Sequence, residues 1–449
     1  MRYVLNFVYL TLLAVASPWL LWAAFRKGKY REGFAEKLLG RAPVREGDRP
    51  CVWLHAVSVG EVNLLAVLIA EIERRRPDVE CVISTTTHTG YQLAKKKHPA
   101  HTVFYCPLDF SWAVEQAMRA VRPDVLALAE LELWPNLIAA ARRSGARVAV
   151  VNGRLGEKSF RGYSRIRPLV RRVLRQIDLI AVQSEAGAER FAALCQTSAP
   201  AQQNAPAQES RPTICVTGSL KFDGASADRD NPQTARLARL AGIDSSDVVF
   251  LAGSTQDPEE ALALAAYQSC AAEFPQLRLI VVPRHPDRFD KVAALLDESG
   301  VAWARRSQLR EGEPPAKARV LLVDTIGELG HWWGAADVAY VGGSMGSRGG
   351  QNMIEPAAYG AAVSFGPCTW NFREVVALLA SGDAAAVVHS GAEMTDFLRE
   401  CLKRPELRHE LGDRARRLVA QQQGAVARTI DALAPLLPPA AENAALRAA

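Results

Sequence analysis

Features that identify disulfide-rich, zinc-binding or repeat proteins are scarce in this sequence of 449 residues. Its 8 cysteines stand singly, with no CxxC pair and no histidine spacing of the zinc type. Single cysteines are typical of the reduced core of a cytoplasmic protein, and no repeat of the solenoid type is present. Apolar residues make up 49% of the chain and charged residues 23%, which argues against a disordered protein. At this length, we expect a globular protein with two domains.

The common phosphate-binding and metal-binding motifs are also missing. Residues 337–360, DVAYVGGSMGSRGGQNMIEPAAYG, end a strand pattern with glycines, but their spacing is neither that of a Walker A loop nor that of a Rossmann fingerprint. No DxD motif stands at a strand end, and the DRD at 228–230 lies in a polar stretch. We therefore expect chemistry that needs no metal and no cofactor.

One long apolar run is present, at the N-terminus. Residues 3–25 carry no charge and have the length that one helical crossing of a bilayer needs, roughly 20 residues. Four basic residues follow at 26–31, whereas only Arg2 precedes the run, so the positive-inside rule places the rest of the chain in the cytoplasm. No cleavage site follows, and we predict an uncleaved membrane anchor over residues 1–30. A shallow, monotopic insertion and a helix buried against the domain are the alternatives.

Strand-like and helical patterns alternate over the rest of the chain. CVWLHAV, CVIST, VLALAEL, RVAVVNGRL and LIAVQS form a first series, and TICVTGSLKF, VVFLAGS, LRLIVVPRHP, ARVLLVDTIGEL, DVAYVGGS and AAVSFGP form a second. Such alternation predicts an α/β protein with two doubly wound, Rossmann-like domains. We place the first domain at 31–196, a low-complexity linker at 197–212 and the second domain at 213–449, whose final helices can pack back on the first domain.

A second basic region interrupts the first series. Although the net charge is only +6, the stretch FRGYSRIRPLVRRVLRQ contains six arginines: Arg161, Arg165, Arg167, Arg171, Arg172 and Arg175. With the apolar residues between them, they predict a basic amphipathic helix that suits anionic head groups or a phosphorylated substrate. A solvated face opposite a core stripe explains the pattern equally well. No aromatic platform accompanies the arginines, and we do not expect nucleic acid as a partner.

Acidic residues follow two predicted strands of the first domain. Glu61 comes after CVWLHAV, and Glu130 and Glu132 stand in ELELWPN, where the strand pattern VLALAEL ends. Because the carboxyl ends of parallel strands meet at one edge of a sheet, acids there can do general acid and base work. Alternatively, Glu130 and Glu132 favour the N-terminus of a helix that begins near Pro135.

Cations and glycines follow the predicted strands of the second series. Lys221 follows VTGS, Arg284 follows LIVVP, and the glycine loop after DVAYV leads into a helix that starts near Asn352. Free N–H groups in that loop and the helix dipole predict a phosphate site. Asn352 and Glu355 also match a capping box, which explains both residues without a ligand.

These motifs together resemble a known family. SVGE, ELELWPN, NGRL, VTGSLKFD, AGST, VPRHPDRF, GGSMGSRGGQNMIEPAAYG and FGP, in this order, are similar to the Kdo transferases. Those enzymes add 3-deoxy-D-manno-octulosonic acid (Kdo) to the lipid A precursor of Gram-negative bacteria. The resemblance covers nearly the whole chain and implies the GT-B fold, in which two Rossmann-like domains face a cleft. The acceptor then binds to the first domain and the donor, CMP-Kdo, to the second.

The resemblance also implies the site residues. The family's general base falls on Glu61, and its two transition-state stabilisers fall on Glu130 and Lys221. Its CMP contacts fall on Pro283, Arg284, Ile326, Gly327, Glu328, Asn352, Met353, Ile354 and Glu355. A helix dipole at Glu61 favours the ionised form by roughly 0.3–1 kcal/mol. Burial or the nearby Glu130 would raise the pKa of Glu61 again.

The implied activity is that of an inverting glycosyltransferase. It would transfer Kdo from CMP-Kdo to the lipid A precursor, lipid IVA, in lipopolysaccharide biosynthesis, at the cytoplasmic face of the bacterial inner membrane. Three alternatives stay open. They are another membrane-associated GT-B transferase with a different nucleotide sugar, a sugar-nucleotide epimerase of the same fold, and a non-catalytic protein that binds lipid or nucleotide.

Overall fold

The computed structural model describes residues 2–27, 32–196, 212–225, 227–311 and 318–439. The chain divides into two compact units, Met1–Gly224 together with Gln423–Ala449, and Ala225–Gln422. Apart from residue 212, the predicted low-complexity linker lies outside the described residues, as do the basic residues Lys29 and Arg31.

The described part of the first unit contains a 7-stranded parallel sheet. Its strands are β1 (Cys51–Ala56), β2 (Glu80–Thr85), β3 (Thr102–Tyr105), β4 (Val125–Ala129), β5 (Arg147–Gly153), β6 (Leu179–Val182) and β7 (Thr213–Val216). They lie in the order β3-β2-β1-β4-β5-β6-β7, so the order reverses between the neighbours β1 and β4. Every residue of β1 and β4 is buried, which explains their continuous apolar sequences.

Helices cover both faces of this sheet. They are α1 (Arg2–Lys27), α2 (Phe34–Leu39), α3 (Val59–Arg75), α4 (His88–Lys97), α5 (Ser111–Val121), α6 (Pro135–Arg143), α7 (Glu157–Arg165), α8 (Arg167–Leu174) and α9 (Glu185–Cys195). In α3, for example, Leu65, Ile69 and Ile72 recur at the helical spacing and are buried. The amphipathic pattern of such a helix therefore decides which of its faces meets the sheet.

The N-terminal turns of α1 dock on the first unit. The side-chain NH₂ of Asn6 donates to the hydroxyl of Ser111 at 2.8 Å, and the main-chain N–H of Ser111 donates to the side-chain carbonyl oxygen of Asn6 at 3.0 Å. The hydroxyl of Tyr9 donates to the carboxylate of Asp109 at 3.1 Å. Within the described residues, no helix combines the length and the apolar character that crossing a bilayer requires. The membrane anchor therefore stays a prediction.

The second unit contains another 7-stranded parallel sheet within its described residues. Its strands are β8 (Val248–Thr255), β9 (Leu277–Pro283), β10 (Trp303–Arg305), β11 (Val320–Leu322), β12 (Val338–Val341), β13 (Ala362–Phe365) and β14 (Ala385–Val387). The order is β10-β11-β9-β8-β12-β13-β14, with the reversal between β8 and β12. Its helices are α10 (Pro232–Ala241), α11 (Glu259–Ala271), α12 (Phe289–Glu298), α13 (Leu329–Trp332), α14 (Ile354–Ala358), α15 (Arg373–Ser381), α16 (Gly391–Lys403) and α17 (Pro405–Gln422).

The division of the chain differs from the boundary that we placed at residue 213. Strand β7 pairs with β6, so the first sheet continues past the linker and the first unit extends to Gly224. The last helix, α18 (Ala425–Leu433), also belongs to the first unit, where Ile430 packs in the same apolar cluster as Leu65. An edge strand is held by main-chain hydrogen bonds, which a change in composition along the sequence does not reveal.

Candidate active site

Glu61 lies where β1 ends and α3 begins, beside the reversal of the first sheet. Its carboxylate turns back towards the strand. The N–H of Val57 donates to Oε2 at 2.6 Å, and the hydroxyl of Ser58 donates to Oε1 at 3.1 Å. Glu61 thereby satisfies a main-chain donor beside the helix N-terminus. The adjacent Gly60 leaves open space, since a Cβ there would meet only Ser58 Oγ, at 3.8 Å.

Burial raises the pKa of Glu61 from 4.5 to about 7. The value of about 7 already includes the negative charges of Glu130 and Glu132, which also raise this pKa, and the hydrogen bonds from Val57 and Ser58, which lower it. The raising effects prevail, in the direction expected for burial and a nearby Glu130. At neutral pH the protonated and ionised forms of Glu61 are both populated, which is what a general base needs.

Glu130 follows β4, the strand next to β1, with a φ of 56° in the left-handed region. Its N–H donates to the carbonyl of Val151 in β5 at 2.9 Å. Asn152, also in β5, has a φ of 54°. A left-handed backbone at a residue other than glycine costs on the order of 1–3 kcal/mol, and such residues cluster at functional sites. The structure thus brings two strained strand ends to the reversal of the sheet.

The acids Glu130 and Glu132 do not cap α6. The first turn of this helix contains no acid, and the indole N–H of Trp134 donates to Glu132 at 2.9 Å. The cap is Asp109, whose carboxylate accepts the N–H groups of Asn136 at 3.0 Å and Leu137 at 2.8 Å. The alternative that explained Glu130 and Glu132 by the N-terminus of a helix is therefore wrong, because another acid occupies that place.

Lys221 lies in the turn that follows β7, in the same unit as Glu61 and Glu130. The N–H of the adjacent Leu220 donates to the side-chain carbonyl of Asn152 at 3.0 Å, which ties this turn to β5. Strand β5 neighbours β4, whose end carries Glu130. Within the described part of the chain, Lys221 forms no ion pair with an acid. Its ammonium group is therefore available to an anionic ligand.

The glycine loop after β12 does not offer the free N–H groups that the sequence predicted. Glu259 at the start of α11 is buried, and its carboxylate points into this loop. It accepts hydrogen bonds of 2.7–2.9 Å from the N–H groups of Gln256, Gly343, Ser344 and Met345 and from the hydroxyl of Tyr340. Part of the predicted phosphate site is therefore wrong, because a carboxylate of the chain itself already occupies this nest of donors.

Arg284 and Glu355 lie near each other at the edge of the second sheet. Arg284 is exposed after β9, while Pro283 is buried. Burial raises the pKa of Glu355, whereas a hydrogen bond from Asn352 and the charges of Arg284 and His331 lower it. Residues that follow β9, β11 and β12 thus meet at one edge, as the sequence predicted, but the expected place of Lys221 among them is wrong, because β7 pairs with β6 and carries Lys221 into the first unit. A cation and a partly buried acid stand there together.

The segment after β11 presents one exposed apolar side chain. Ile326 is 80% exposed, and Gly327 has a φ of 93°. Glu328 is held by the buried Arg306, whose Nε and Nη2 donate to its carboxylate at 3.0 and 2.8 Å. Ile326 and the main chain of Gly327 are therefore open to a ligand, whereas the carboxylate of the partly exposed Glu328 is already paired.

Asn352 links the glycine loop to α14, which begins at Ile354. Its side-chain carbonyl oxygen accepts a hydrogen bond from the N–H of Ile354 at 3.1 Å, and its side-chain NH₂ donates to the carboxylate of Glu355 at 2.9 Å. In a capping box, the carboxylate of Glu355 would accept a hydrogen bond from the main-chain N–H of Asn352. Here it accepts from the side-chain NH₂ of Asn352 instead. The side chains of Met353 and Ile354 are fully buried, so these two residues can offer a ligand only main-chain atoms.

The basic stretch forms two helices rather than the predicted one. Helix α7 ends at Arg165 and α8 begins at Arg167, because the following Pro168 cannot donate to a continuous helical ladder. Val173 and Leu174 of α8 are buried in the core. Arg171 and Arg172 of α8, and Arg175 directly after it, face a cavity of about 660 Å³ that is bounded by α6, α8 and the start of α1. Arg2 and Arg143 line the same cavity.

Sequence reasoning did not find Glu259, Arg306 or Asp109. Apart from the bond between Glu259 and Gln256, the contacts described for them join residues far apart in the sequence, 84 residues for Glu259 and Gly343. The only local feature at Glu259 is its place in the first turn of a helix after a strand, which is also where acids favour the helix dipole. The sequence around Glu259 does not show whether this acid only favours the helix dipole or also accepts hydrogen bonds from the glycine loop.

Comparison with known proteins adds to this geometry. Residues 29–223 match the family described as "3-Deoxy-D-manno-octulosonic-acid transferase (kdotransferase)". The chain is 35% identical over 429 residues to the 3-deoxy-D-manno-octulosonic acid transferase of Bordetella pertussis, covering 92% of this chain and 94% of the relative. With the enzyme of the same name from Haemophilus influenzae it shares 30% identity over 443 residues, covering 96% and 99%.

The fold has relatives of lower sequence identity. A glycosyltransferase from Rickettsia africae matches with a TM-score of 0.55 at 11% identity, covering 87% of this chain and 99% of that chain. This likeness shows the two-unit α/β fold alone. The identity of 30–35% with two relatives that are matched over nearly their whole length is evidence for the family as well as for the fold. It shows that the chain belongs to the 3-deoxy-D-manno-octulosonic acid transferase family of glycosyltransferases.

Proposed function

We propose that the chain transfers Kdo from CMP-Kdo to the lipid A precursor, lipid IVA, with inversion at the anomeric carbon of Kdo. The observation that carries this proposal is the carboxylate of Glu61, which is held beside the reversal of the first sheet with a pKa of about 7. Ligands of open α/β sheets bind at such reversals. A base is most effective when its pKa is near the working pH.

In the proposed reaction, Glu61 takes the proton of a primary hydroxyl group on a glucosamine of the acceptor. The hydroxyl oxygen forms a bond to the anomeric carbon of Kdo, on the face opposite CMP. The bond between that carbon and the phosphate oxygen breaks, and its electron pair leaves with CMP. Configuration at the anomeric carbon is inverted, as in other single displacements at this type of carbon.

Glu130 and Lys221 act on the charges that develop in this step. The transition state carries positive charge on the Kdo ring, which the carboxylate of Glu130 stabilises when it is ionised. Lys221 supplies a cation for the departing phosphate. Both roles are supported by the strand ends on which these residues stand and by the hydrogen bond of 3.0 Å that ties the Lys221 turn to Asn152.

The second unit binds the donor in this proposal. Arg284 pairs with the phosphate of CMP, because it is an exposed guanidinium next to the sheet edge. Ile326 and Gly327 contact the nucleoside, for which an exposed apolar side chain and an open main chain are suitable. Pro283, Glu328, Asn352, Met353, Ile354 and Glu355 complete the site. CMP leaves as a stable phosphate monoester, so cations matter more for its departure than an acid.

We further propose that α1 holds the enzyme on the cytoplasmic face of the bacterial inner membrane. Much of its apolar surface is exposed, including Phe7 at 72%, Leu12 at 61% and Val15 at 75%. Because Asn6 and Tyr9 are bound to the first unit, a monotopic insertion fits better than a crossing that would carry the N-terminus to the other side. Leu12→Glu with Val15→Glu should therefore abolish binding to vesicles. Retained vesicle binding would contradict the role of α1.

A glycosyltransferase with a different nucleotide sugar is the nearest alternative. The test is a donor screen with the detergent-solubilised full chain, lipid IVA and either CMP-Kdo, generated in place, or a panel of UDP-sugars. Mass spectrometry should detect acceptor that carries Kdo only when CMP-Kdo is present. Turnover with UDP-sugars alone would contradict the Kdo assignment. A product in which the transferred Kdo is a mixture of the equatorial and axial anomers would contradict inversion.

A further inference from the structure

The cavity beside α8 has no role in the reaction described above. Its volume of about 660 Å³ is in the range of sites that hold small ligands, roughly 300–1,000 Å³. The guanidinium groups come from three separate parts of the chain, namely Arg2 of α1, Arg143 of α6, and Arg171 and Arg172 of α8 with Arg175 directly after it. The fold therefore collects positive charge here that the sequence leaves dispersed.

Few acids balance this charge. Glu115 pairs with Arg2 at 3.2 Å and with Arg143 at 2.9 Å, so two arginines share one carboxylate. Within the described residues, neither Arg171 nor Arg172 forms an ion pair with an acid. Guanidinium groups that face one cavity repel each other until an anion enters, and phosphate is the anion that their planar donors fit best.

Arg167, in the same segment, differs from Arg171 and Arg172 because its guanidinium has a structural role. The guanidinium of Arg167 donates to the carbonyl groups of Ala193 and Gln196, and thereby satisfies the C-terminal end of α9. Arg171 and Arg172 have no such contact with main-chain carbonyls within the described residues. Their side chains are therefore not required to complete a neighbouring helix and are available to a ligand.

The place of the cavity indicates what kind of anion it takes. Arg2, one of its lining residues, begins the helix whose apolar side chains Phe7, Leu12 and Val15 are exposed. Pro135, another lining residue, begins α6, directly after the segment that carries Glu130 and Glu132. The cavity thus lies between the start of α1, the proposed membrane helix, and the start of α6, the helix that follows the proposed catalytic acids in the chain.

We propose that this cavity binds a phosphate group of the glycolipid acceptor while its acyl chains stay in the membrane beside α1. The assignment rests on the proposed function, which supplies an acceptor with phosphorylated sugars. Charge complementarity and the apolar helix next to the arginines select this occupant over a soluble anion. Arg171 and Arg172 then set which acceptors are used, without touching the reacting atoms.

The test compares two charge-matched variants of the full chain. Arg171→Gln with Arg172→Gln removes two cavity arginines, whereas Arg161→Gln with Arg165→Gln removes the same charge from the exposed α7, which does not line the cavity. Flotation measures binding to phosphatidylcholine vesicles that contain lipid IVA, without any donor. We expect the cavity pair to lose at least about tenfold in affinity and the α7 pair to bind like the wild type, with unchanged melting of both.

Two further vesicle types identify the ligand. With dephosphorylated lipid IVA, or with phosphatidylglycerol in its place, the cavity pair and the wild type should bind alike. Three results would overturn the assignment. The two variants could lose the same affinity for lipid IVA vesicles, the cavity pair could lose none, or the cavity pair could lose as much affinity for phosphatidylglycerol vesicles as for lipid IVA vesicles. Kdo transfer is measured separately. Phosphate-dependent binding through the cavity without any Kdo transfer would contradict the proposed function and leave the cavity assignment intact.

Discussion

The carboxylate of Glu61 accepts a hydrogen bond of 2.6 Å from the N–H of Val57, so the proposed base also holds the turn in which it stands. The two roles need different properties. The hydrogen bond needs an oxygen acceptor, whereas proton transfer needs a group that can ionise. Substitutions that keep one property and remove the other can therefore separate structure from catalysis.

Glu61→Gln should abolish most of the activity without unfolding the protein. The amide oxygen of glutamine can still accept from Val57, but it cannot take a proton, and general base catalysis typically contributes about 10²–10⁴-fold in rate. We expect kcat to fall by that factor while the melting temperature is not lowered. Glu71→Gln, in the same helix but paired with Arg74 and Arg75, is the matched control and should keep full activity. A large fall in both variants would argue for a structural cause.

The rate of Kdo transfer should decrease as pH falls through about 7. The pKa of Glu61 is raised by burial to about 7, and only its ionised form accepts a proton, so the active fraction declines on the acid side of this value. The same shift acts oppositely on stability. Its contribution is fully present below 4.5, the pKa of an ordinary glutamate, and is lost as pH rises through about 7.

Both halves of this prediction can be measured. A profile of kcat/KM against pH reports the ionisation of the free enzyme, and melting temperatures over the same range report the stability effect. Glu61→Gln should remove the stability effect of this ionisation. An acid limb near pH 4.5, the ordinary value, would show that Glu61 is not the group with the raised pKa.

Glu259→Gln should weaken donor binding through the glycine loop. The side-chain NH₂ of glutamine would face main-chain N–H groups that now donate hydrogen bonds to the carboxylate. Each buried donor left without an acceptor costs about 1–3 kcal/mol. Glu260→Gln is the control, because it breaks the pair with Arg288 without touching the loop. We expect lower stability in both variants but a lower affinity for CMP, measured by calorimetry, only in Glu259→Gln. Equal CMP affinities would show that the loop does not depend on Glu259.

Asn152 should prove to be a positioning residue for Lys221. Glycine at this position tolerates a φ of 54° but removes the carbonyl that accepts from Leu220, so the turn that carries Lys221 loses its tie to β5. We expect Asn152→Gly to lower kcat with little change in KM, and Asn152→Ala to be less stable than Asn152→Gly by about 1 kcal/mol. Chemical denaturation and steady-state kinetics measure these effects. A normal kcat in Asn152→Gly would exclude the positioning role.

Most of the strands could be predicted, because a parallel sheet buried on both faces leaves long apolar runs in the sequence. The strands that sequence reasoning missed, β3, β10 and β14, have only 4, 3 and 3 residues and lie at edges of the two sheets. Strand β11 is as short, but it lies inside its sheet and its buried apolar run was recognised. The place of β7 was also missed, since Thr213 to Val216 join the first sheet through main-chain pairing with β6.

The candidate site was predictable only in part. Acids and cations at strand ends are visible in the sequence, and Glu61 and Arg284 stand where the pattern placed them. The carboxylate of Glu259 that fills the glycine loop was not visible, because the contact joins residues 84 positions apart. The arginine cavity was not visible either, because it depends on how α1, α6 and α8 pack.

One measurement tests the central claim most directly, namely that this chain transfers Kdo with Glu61 as the base. The detergent-solubilised protein is incubated with CMP-Kdo, generated in place, and lipid IVA, beside Glu61→Ala, and the acceptor is analysed by mass spectrometry. We predict that the wild type adds the mass of one or more Kdo units and that Glu61→Ala adds none while it still binds CMP-Kdo. Well-folded wild-type protein that adds no Kdo, or a Glu61→Ala variant that adds Kdo normally, would contradict the account.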